Sequence, residues 1–258
     1  MSEQNLGARA PTVGAEEGHA RLGPYLCWAV VFADLGTSVY YTPGILFTTP
    51  GVGFHAALFV ALTTVVFLLL ARKYMEVCLR YPEGGGVVTV GARTLHPLVG
   101  VIGGMLILVD YFLTAALSAL SGIIYLSLVL PRLTPLVLPL TMLAVATLGV
   151  LNWVGIKESA KVSAVFATAA FAGQVAVLLA VIVHVGAPHL LATVPRVLVG
   201  RRLTGVGVLT GYAGAFLAFS GLETISQLAP AMATPRRRVA QTTLRLMVGS
   251  VVLTSPLM

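Results

Sequence analysis

Seven long apolar runs separated by short polar stretches constrain this chain more than any other feature in it. They fall near residues 25–47, 54–71, 98–127, 135–151, 160–185, 206–230 and 240–258. A hydrocarbon core takes about 20 apolar helical residues to cross, and the third run is long enough to tilt or protrude. Only helices and closed barrels satisfy their backbone groups in lipid, and runs of this length read as helices. Composition agrees, because only 10% of residues are charged and 57% are hydrophobic, whereas a soluble domain carries about 25% charged residues. A soluble enzyme, a disordered tail and a nucleic-acid-binding domain are excluded. The expected fold class is all-α integral membrane, with about seven transmembrane helices.

Residues 1–24 are polar, with Glu3, Arg9, Pro11, Glu16, Glu17, Arg21 and Pro24. They lack the apolar core and small-residue cleavage site of a secretory signal. They are expected to form a loosely ordered tail before an uncleaved signal anchor, leaving 25–258 as the transmembrane domain. The net charge of +7 is accounted for by topology. With the tail inside, Arg9, Arg21, Arg72, Lys73, Arg80, Arg93, Lys157, Lys161, Arg236, Arg237, Arg238 and Arg245 lie on or flank the cytoplasmic side. Only Arg132, Arg196, Arg201 and Arg202 lie opposite. This predicts a multi-pass plasma-membrane protein with a cytoplasmic N-terminus, and the Arg236–Arg238 run needs no nucleic-acid partner.

Acids inside spans are costly and mark functional sites by default. Asp34, Asp110 and Glu223 are the three acids that fall within runs. Asp34 opens Asp34-Leu35-Gly36-Thr37-Ser38-Val39-Tyr40-Tyr41-Thr42-Pro43-Gly44, where poor helix formers and hydroxyls together predict a broken helix beside a cavity. A kinked, packed helix is the alternative. The sixth run holds a counterpart, Phe219-Ser220-Gly221-Leu222-Glu223-Thr224. An offset of five spans makes the two interrupted helices cross in opposite directions, the arrangement that marks a transporter's midplane site in inverted repeats. The first repeat then covers about 25–185, and a second starts at about 206–258. On the third span, Asp110, Thr114, Ser118, Ser121 and Tyr125 share an arc of roughly 80° at 100° per residue. That stripe faces either a pathway or a neighbouring helix to which it hydrogen-bonds. Glu223 has a structural reading as well, as a carboxylate capping free N–H groups at the start of a half-helix.

Other signals carry no chemistry. Glu83-Gly84-Gly85-Gly86 lacks the phosphate-loop pattern, and Thr89-Val90-Gly91 is followed by Ala92-Arg93 instead of completing a potassium filter. Gly100 and Gly104 form a small-xxx-small step that suits close helix packing. The five histidines have no zinc-site spacing, so no metal or other cofactor is expected. Cys27 and Cys78 fall toward the reducing face and are expected as free thiols.

Five motifs then stand in order along the chain: Asp34-x-Gly36-Thr37-Ser38-x-x-Tyr41, Tyr81-Pro82-x-Gly84-Gly85-Gly86, Leu108-Val109-Asp110-Tyr111-x-Leu113-Thr114, Asn152-x-x-Gly155-Ile156-x-Glu158-Ser159-Ala160 and Ser220-Gly221-x-Glu223-x-Ile225-Ser226. Together, over about residues 25–245, they resemble the amino acid–polyamine–organocation (APC) transporter superfamily. Within it they are most similar to bacterial KimA-type and Kup-type potassium importers. The resemblance implies the LeuT-type inverted-repeat fold with helices 1 and 6 broken. It implies a potassium site drawn from Asp34, Gly36, Thr37, Ser38, Tyr41, Asp110, Tyr111, Thr114, Ser118, Ser220 and Gly221. Ser220 stands where threonine is usual. Glu223 is left as a coupling or structural residue, and a monovalent cation at the substrate site is the only metal implied.

That family fold needs ten to twelve spans, so the chain is expected to be the N-terminal portion of a longer parent. The expected activity is secondary-active import of a small solute, potassium by proton symport. An amino-acid permease, proton- or sodium-coupled, is the alternative, and a non-transporting truncated membrane subunit is the third reading. The lysine that many proton-coupled amino-acid permeases carry midway along the fifth span aligns with Ala170, which weakens that mode of coupling. No enzyme motif is present. Expected partners are the lipid bilayer, the ion or small-molecule substrate, H+ or Na+ as coupling ion and, in the full-length parent, a second copy as a homodimer. The topology has a direct check: a cysteine placed at position 50 should react with an impermeant maleimide from outside, and one at position 85 should not. The reverse pattern overturns the orientation.

Overall fold

The computed structural model describes residues 21–199 and 203–254, and apart from one isolated bridge its regular elements are all helical. In chain order they are α1 (Pro24–Thr48), α2 (Ala56–Arg80), α3 (Gly86–Thr94), α4 (Pro97–Val129), α5 (Val137–Val154), α6 (Ile156–Val185), α7 (Ala187–Val199), α8 (Gly205–Ala215), α9 (Thr224–Gln227) and α10 (Arg236–Thr254). Four segments are long and apolar enough to cross a membrane: Gly53–Arg80, Pro97–Val129, Pro131–Val154 and Ile156–Val185. The other three expected spans are α1, the interrupted α8–α9 stretch and α10. Two of them are more polar, since α1 carries Asp34, Thr37 and Ser38 and α10 opens with three arginines, while the apolar part of the sixth, Gly205–Ala218, is short.

That polarity follows position in the bundle. The buried core joins α1, α2, the sixth-span region and α10 through Trp28, Phe32, Phe67, Ile225, Met247 and Val251. Trp28 Nε1 donates to Ser250 Oγ at 3.2 Å, and Thr243 Oγ1 donates to the Pro24 carbonyl at 3.2 Å, binding α1 to α10. By contrast α4, α5 and α6 turn out Leu, Val and Phe side chains such as Leu106, Phe112, Leu138 and Phe166. An apolar outer face suits lipid, while polar groups gather where helices meet.

The expected break in the first span is not there. α1 runs unbroken through Asp34–Thr42. Its hydroxyls bond to its own carbonyls: Thr37 Oγ1 donates to Asp34 O at 2.8 Å and Thr42 Oγ1 to Ser38 O at 2.6 Å. Such back-bonding occupies the hydroxyl without opening the helix. Gly36 serves packing instead, since a Cβ there would sit 2.9 Å from Cε1 of Phe32. Pro43 is accommodated within the helix near its end. No carbonyls are freed at Gly36, and the kinked or packed alternative describes this span better. The sixth span does break: α8 passes into a 3-10 turn at Phe216–Phe219 and regular structure resumes only at Thr224.

The residues just ahead of α1 are tied into the bundle. Residues 1–20 lie outside the described residues, but Leu22 is fully buried and pairs with Met232 in the isolated bridge. Leu22 N–H donates to Ala231 O at 2.7 Å, and Ala233 N–H donates to Leu22 O at 2.9 Å. The sequence reading passed over α3 and α7 as connections. α3 is rich in glycine and β-branched residues, which are weak helix formers. Its packing on α4 supports it, where a Cβ on Gly100 would meet Ala92 Cβ at 2.6 Å and one on Gly104 would meet Val88 at 3.1 Å. The small-xxx-small step is therefore a close-packing device, as expected.

The glycine run of the second motif has a comparable role. Gly84, at φ +81°, lies against Pro230, and a Cβ there would be 2.9 Å from the proline ring. A Cβ on Gly86 would be 2.5 Å from Ser226 Oγ. The loop between α2 and α3 thus seats directly on α9 and the turn after it. Gly84→Ala should lower the thermal stability of the purified protein by about 1–3 kcal/mol, combining a left-handed backbone with overpacking. Gly122→Ala, where no atom lies within 4 Å of the added Cβ, should change it by less than about 0.5 kcal/mol. Equal effects would show that the loop does not rest on the sixth span.

Candidate functional site

Three acids lie inside the bundle, and their surroundings differ from those of the acids outside it. Glu76, Glu83 and Glu158 pair at the surface with Lys73 and Arg80, with Arg93 and with Lys161. Among the described residues, Asp34, Asp110 and Glu223 have no salt bridge. A carboxyl held away from water without a counter-charge needs hydrogen-bond donors, and for Asp34 and Asp110 hydroxyls provide them.

The broken sixth span supplies most of these donors. Ser220 Oγ donates to Asp110 Oδ2 at 3.2 Å, and Thr224 Oγ1 donates to Asp34 Oδ2 at 2.7 Å. Two carboxyls from two different helices are therefore held by hydroxyls four residues apart on one segment. Tyr111 OH lies 3.3 Å from Thr224 Oγ1. The one hydroxyl proton of Thr224 is committed to Asp34, so Tyr111 must be the donor in that contact. The result is a chain of hydrogen bonds from Tyr111 on α4, through Thr224, to Asp34 on α1. Gly221, at φ +102°, lets the break come this close, because a Cβ would sit 2.6 Å from Asp34 Cγ.

Glu223 is half-buried and directly precedes the short helix α9, to which its side chain makes no capping bond. The capping role that the structural reading of this residue anticipates is thus not taken up. Beside the acids, Thr37 Oγ1 and Ser118 Oγ lie 3.2 Å apart and join α1 to α4. Thr114 is buried on the same stripe, whereas Tyr125, further along it, is exposed. Ser38 and Tyr41 bond each other at 3.1 Å inside the core, and neither hydroxyl is bonded to an acid. Thus Asp34, Asp110, Tyr111, Ser220 and Gly221 come together around the sixth-span break, Thr37 and Ser118 pair between α1 and α4, and Tyr41 and Ser38 form a separate pair. Thr224 was not among the residues that sequence reasoning selected. Its hydroxyl directly after Glu223 was visible, but in a non-helical stretch spacing does not say which way a side chain points.

A separate cavity of about 810 Å3 lies between α1, α4, α5 and α6. Its walls are mainly Leu, Val and Ala with few polar atoms, so it offers little to an ion. Thr37 borders both this cavity and the acid site.

The sequence profile described as amino acid permease matches residues 26–258. The chain is 28% identical to the potassium transporter KimA of Bacillus subtilis (strain 168), over 92% of this chain and 40% of that protein. It is 32% identical to a probable potassium transport system protein Kup 2 of Mesorhizobium japonicum, over 59% of this chain and 26% of that protein. A probable Kup 1 of Rhodopseudomonas palustris is 36% identical over 43% of this chain and 21% of its own length. The chain thus spans less than half the length of each of these relatives.

The contact between Gly221 and Asp34 can be measured by a double-mutant cycle. Gly221→Ala should destabilise the purified protein by about 2 kcal/mol, and noticeably less when Asp34 is already alanine, with a coupling of about 1 kcal/mol or more. Additivity within about 0.5 kcal/mol would mean the two residues do not meet.

Proposed function

Taking as premise that the chain belongs to the amino acid permease family, we propose that it is part of a secondary-active importer that carries potassium by proton symport. One observation carries this reading: Asp34 and Asp110 are drawn onto a single broken segment, and among the described residues no basic side chain pairs with them. Potassium is a hard cation that exchanges its hydration shell for several oxygens. The proposed ligands are the carboxyls of Asp34 and Asp110 and nearby hydroxyls from Ser118, Thr114 and Ser220. Tyr41, Ser38, Thr37 and Tyr111 complete the proposed site as surrounding hydroxyls. Gly36 and Gly221 allow the close approach. The names of the curated relatives are consistent with this substrate, and Glu223 is proposed to assist proton coupling or to hold the break.

An amino-acid substrate is the second reading, favoured by the description of the matching family. Its carboxylate would need free N–H donors at the break. The adjacent acids repel an anion there. We further propose a plasma-membrane location with the N-terminus and the Arg236–Arg238 turn cytoplasmic, on the basis of the basic-residue distribution.

The test uses the protein made from its complete reading frame. It should restore growth of a potassium-uptake-deficient bacterium on limiting potassium, and Asp34→Asn should lose the rescue. Asp110→Asn should abolish rubidium uptake at normal expression, while Leu108→Ala, on the exposed face of α4, should change it by less than about twofold. Proteoliposomes that accumulate a labelled amino acid and carry no potassium or rubidium would overturn the cation reading.

A further inference from the structure

We propose that Thr224 is the positioning residue of this site, setting where Asp34 stands relative to Asp110 and thereby how well the pair discriminates among alkali cations. The specificity part rests on the transport reading above, and the positional part does not. The geometry is that of a single hydroxyl in two bonds: Thr224 Oγ1 donates to Asp34 Oδ2 at 2.7 Å and lies 3.3 Å from Tyr111 OH. A hydroxyl has one proton and two acceptor lone pairs, so it can accept from Tyr111 while donating to Asp34. Three elements therefore meet at one atom: α1, α4 and the broken sixth span.

A second contact makes this tether consequential. Ser220, four residues earlier on the same segment, holds Asp110 Oδ2 at 3.2 Å. The spacing of the two carboxyls is thus templated by the segment 220–224, with Gly221 pressed against the Asp34 carboxyl so that the template lies flush. With one oxygen of Asp34 committed to Thr224, the other is left to face a guest. The Tyr111 phenol polarises the threonine hydroxyl and strengthens its hold on the carboxyl. Without the threonine hydroxyl, Asp34 is free to change rotamer, and a site that can shrink or swell no longer distinguishes potassium from a smaller ion.

Thr224→Val keeps the side-chain shape and deletes the hydroxyl, and Thr224→Ser keeps the hydroxyl. The first measurement needs no transport. Purified wild type, Thr224→Val and Thr224→Ser are treated with the hydrophobic carbodiimide dicyclohexylcarbodiimide, and modification of Asp34 is followed by mass spectrometry. Thr224→Val should label several-fold faster than wild type, and Thr224→Ser should stay near wild type. The second measurement is uptake of rubidium against competing sodium by the protein from its complete reading frame. Thr224→Val should raise the apparent KM for rubidium roughly tenfold, as expected for loss of a charge-assisted hydrogen bond, and weaken discrimination against sodium. Its maximal rate should fall much less, and Thr224→Ser should restore both values. Equal Asp34 labelling in wild type and Thr224→Val overturns the tether. Faster labelling with unchanged rubidium KM and selectivity overturns the specificity role. Faster labelling of Thr224→Val, together with a wild type that moves no alkali cation at all, sinks the potassium reading and leaves the tether standing.

Discussion

A carboxyl inside a helical bundle, out of reach of any basic side chain, has to be met by uncharged donors, and the arrangement around Asp34 and Asp110 follows from that demand. An intact helix has little to offer, since its backbone N–H groups are spent on its own carbonyls. Side-chain hydroxyls and the freed amides of an interrupted helix are what remain. Ser220 and Thr224 answer the demand from one short stretch of chain. The break in the sixth span is therefore the element that makes two half-buried acids tolerable together.

Bringing that stretch within bonding distance requires surfaces without side chains. Gly221 faces the Asp34 carboxyl, Gly84 and Gly86 face Pro230 and Ser226, and Gly207 faces the backbone at Gly51. Inside lipid, where apolar burial drives helices together weakly, close backbone approach and interhelical hydrogen bonds carry more of the association. The glycine run after α2 supports the site by this route, because it braces the segment that follows the two donor hydroxyls. The Leu22–Met232 pairing braces the same segment from the start of α1.

The continuous first helix changes how such a site can respond to a guest. With α1 and α4 both unbroken around their acids, the sixth-span stretch is the one of the three that lacks a regular hydrogen-bond ladder. Local rearrangement costs least where the fewest backbone bonds must be given up. A cation at the proposed site would draw on the carboxyls that Ser220 and Thr224 hold, so its occupancy would be coupled to the conformation of the break.

Much of this protein was legible before any coordinates. Lipid penalises exposed backbone so heavily that seven apolar runs dictate helices, and charge inside them is so costly that Asp34, Asp110 and Glu223 stood out at once. The sixth-span break and the helical face of Asp110, Thr114 and Ser118 were equally readable, the first from glycine between polar residues and the second from periodicity. Two things were not. The first-span motif has the same kinds of residue as the sixth, yet its hydroxyls fold back onto their own helix and Gly36 merely admits the Phe32 ring. Thr224 reads as one more hydroxyl until Asp34 and Tyr111 arrive from α1 and α4 to share it. Local composition determined which residues could be polar in lipid. Only tertiary packing decided which helix breaks and which hydroxyl meets which acid, because a hydroxyl bonds equally well to its own carbonyl or to a distant carboxyl, and the choice falls to whichever partner the fold brings within reach.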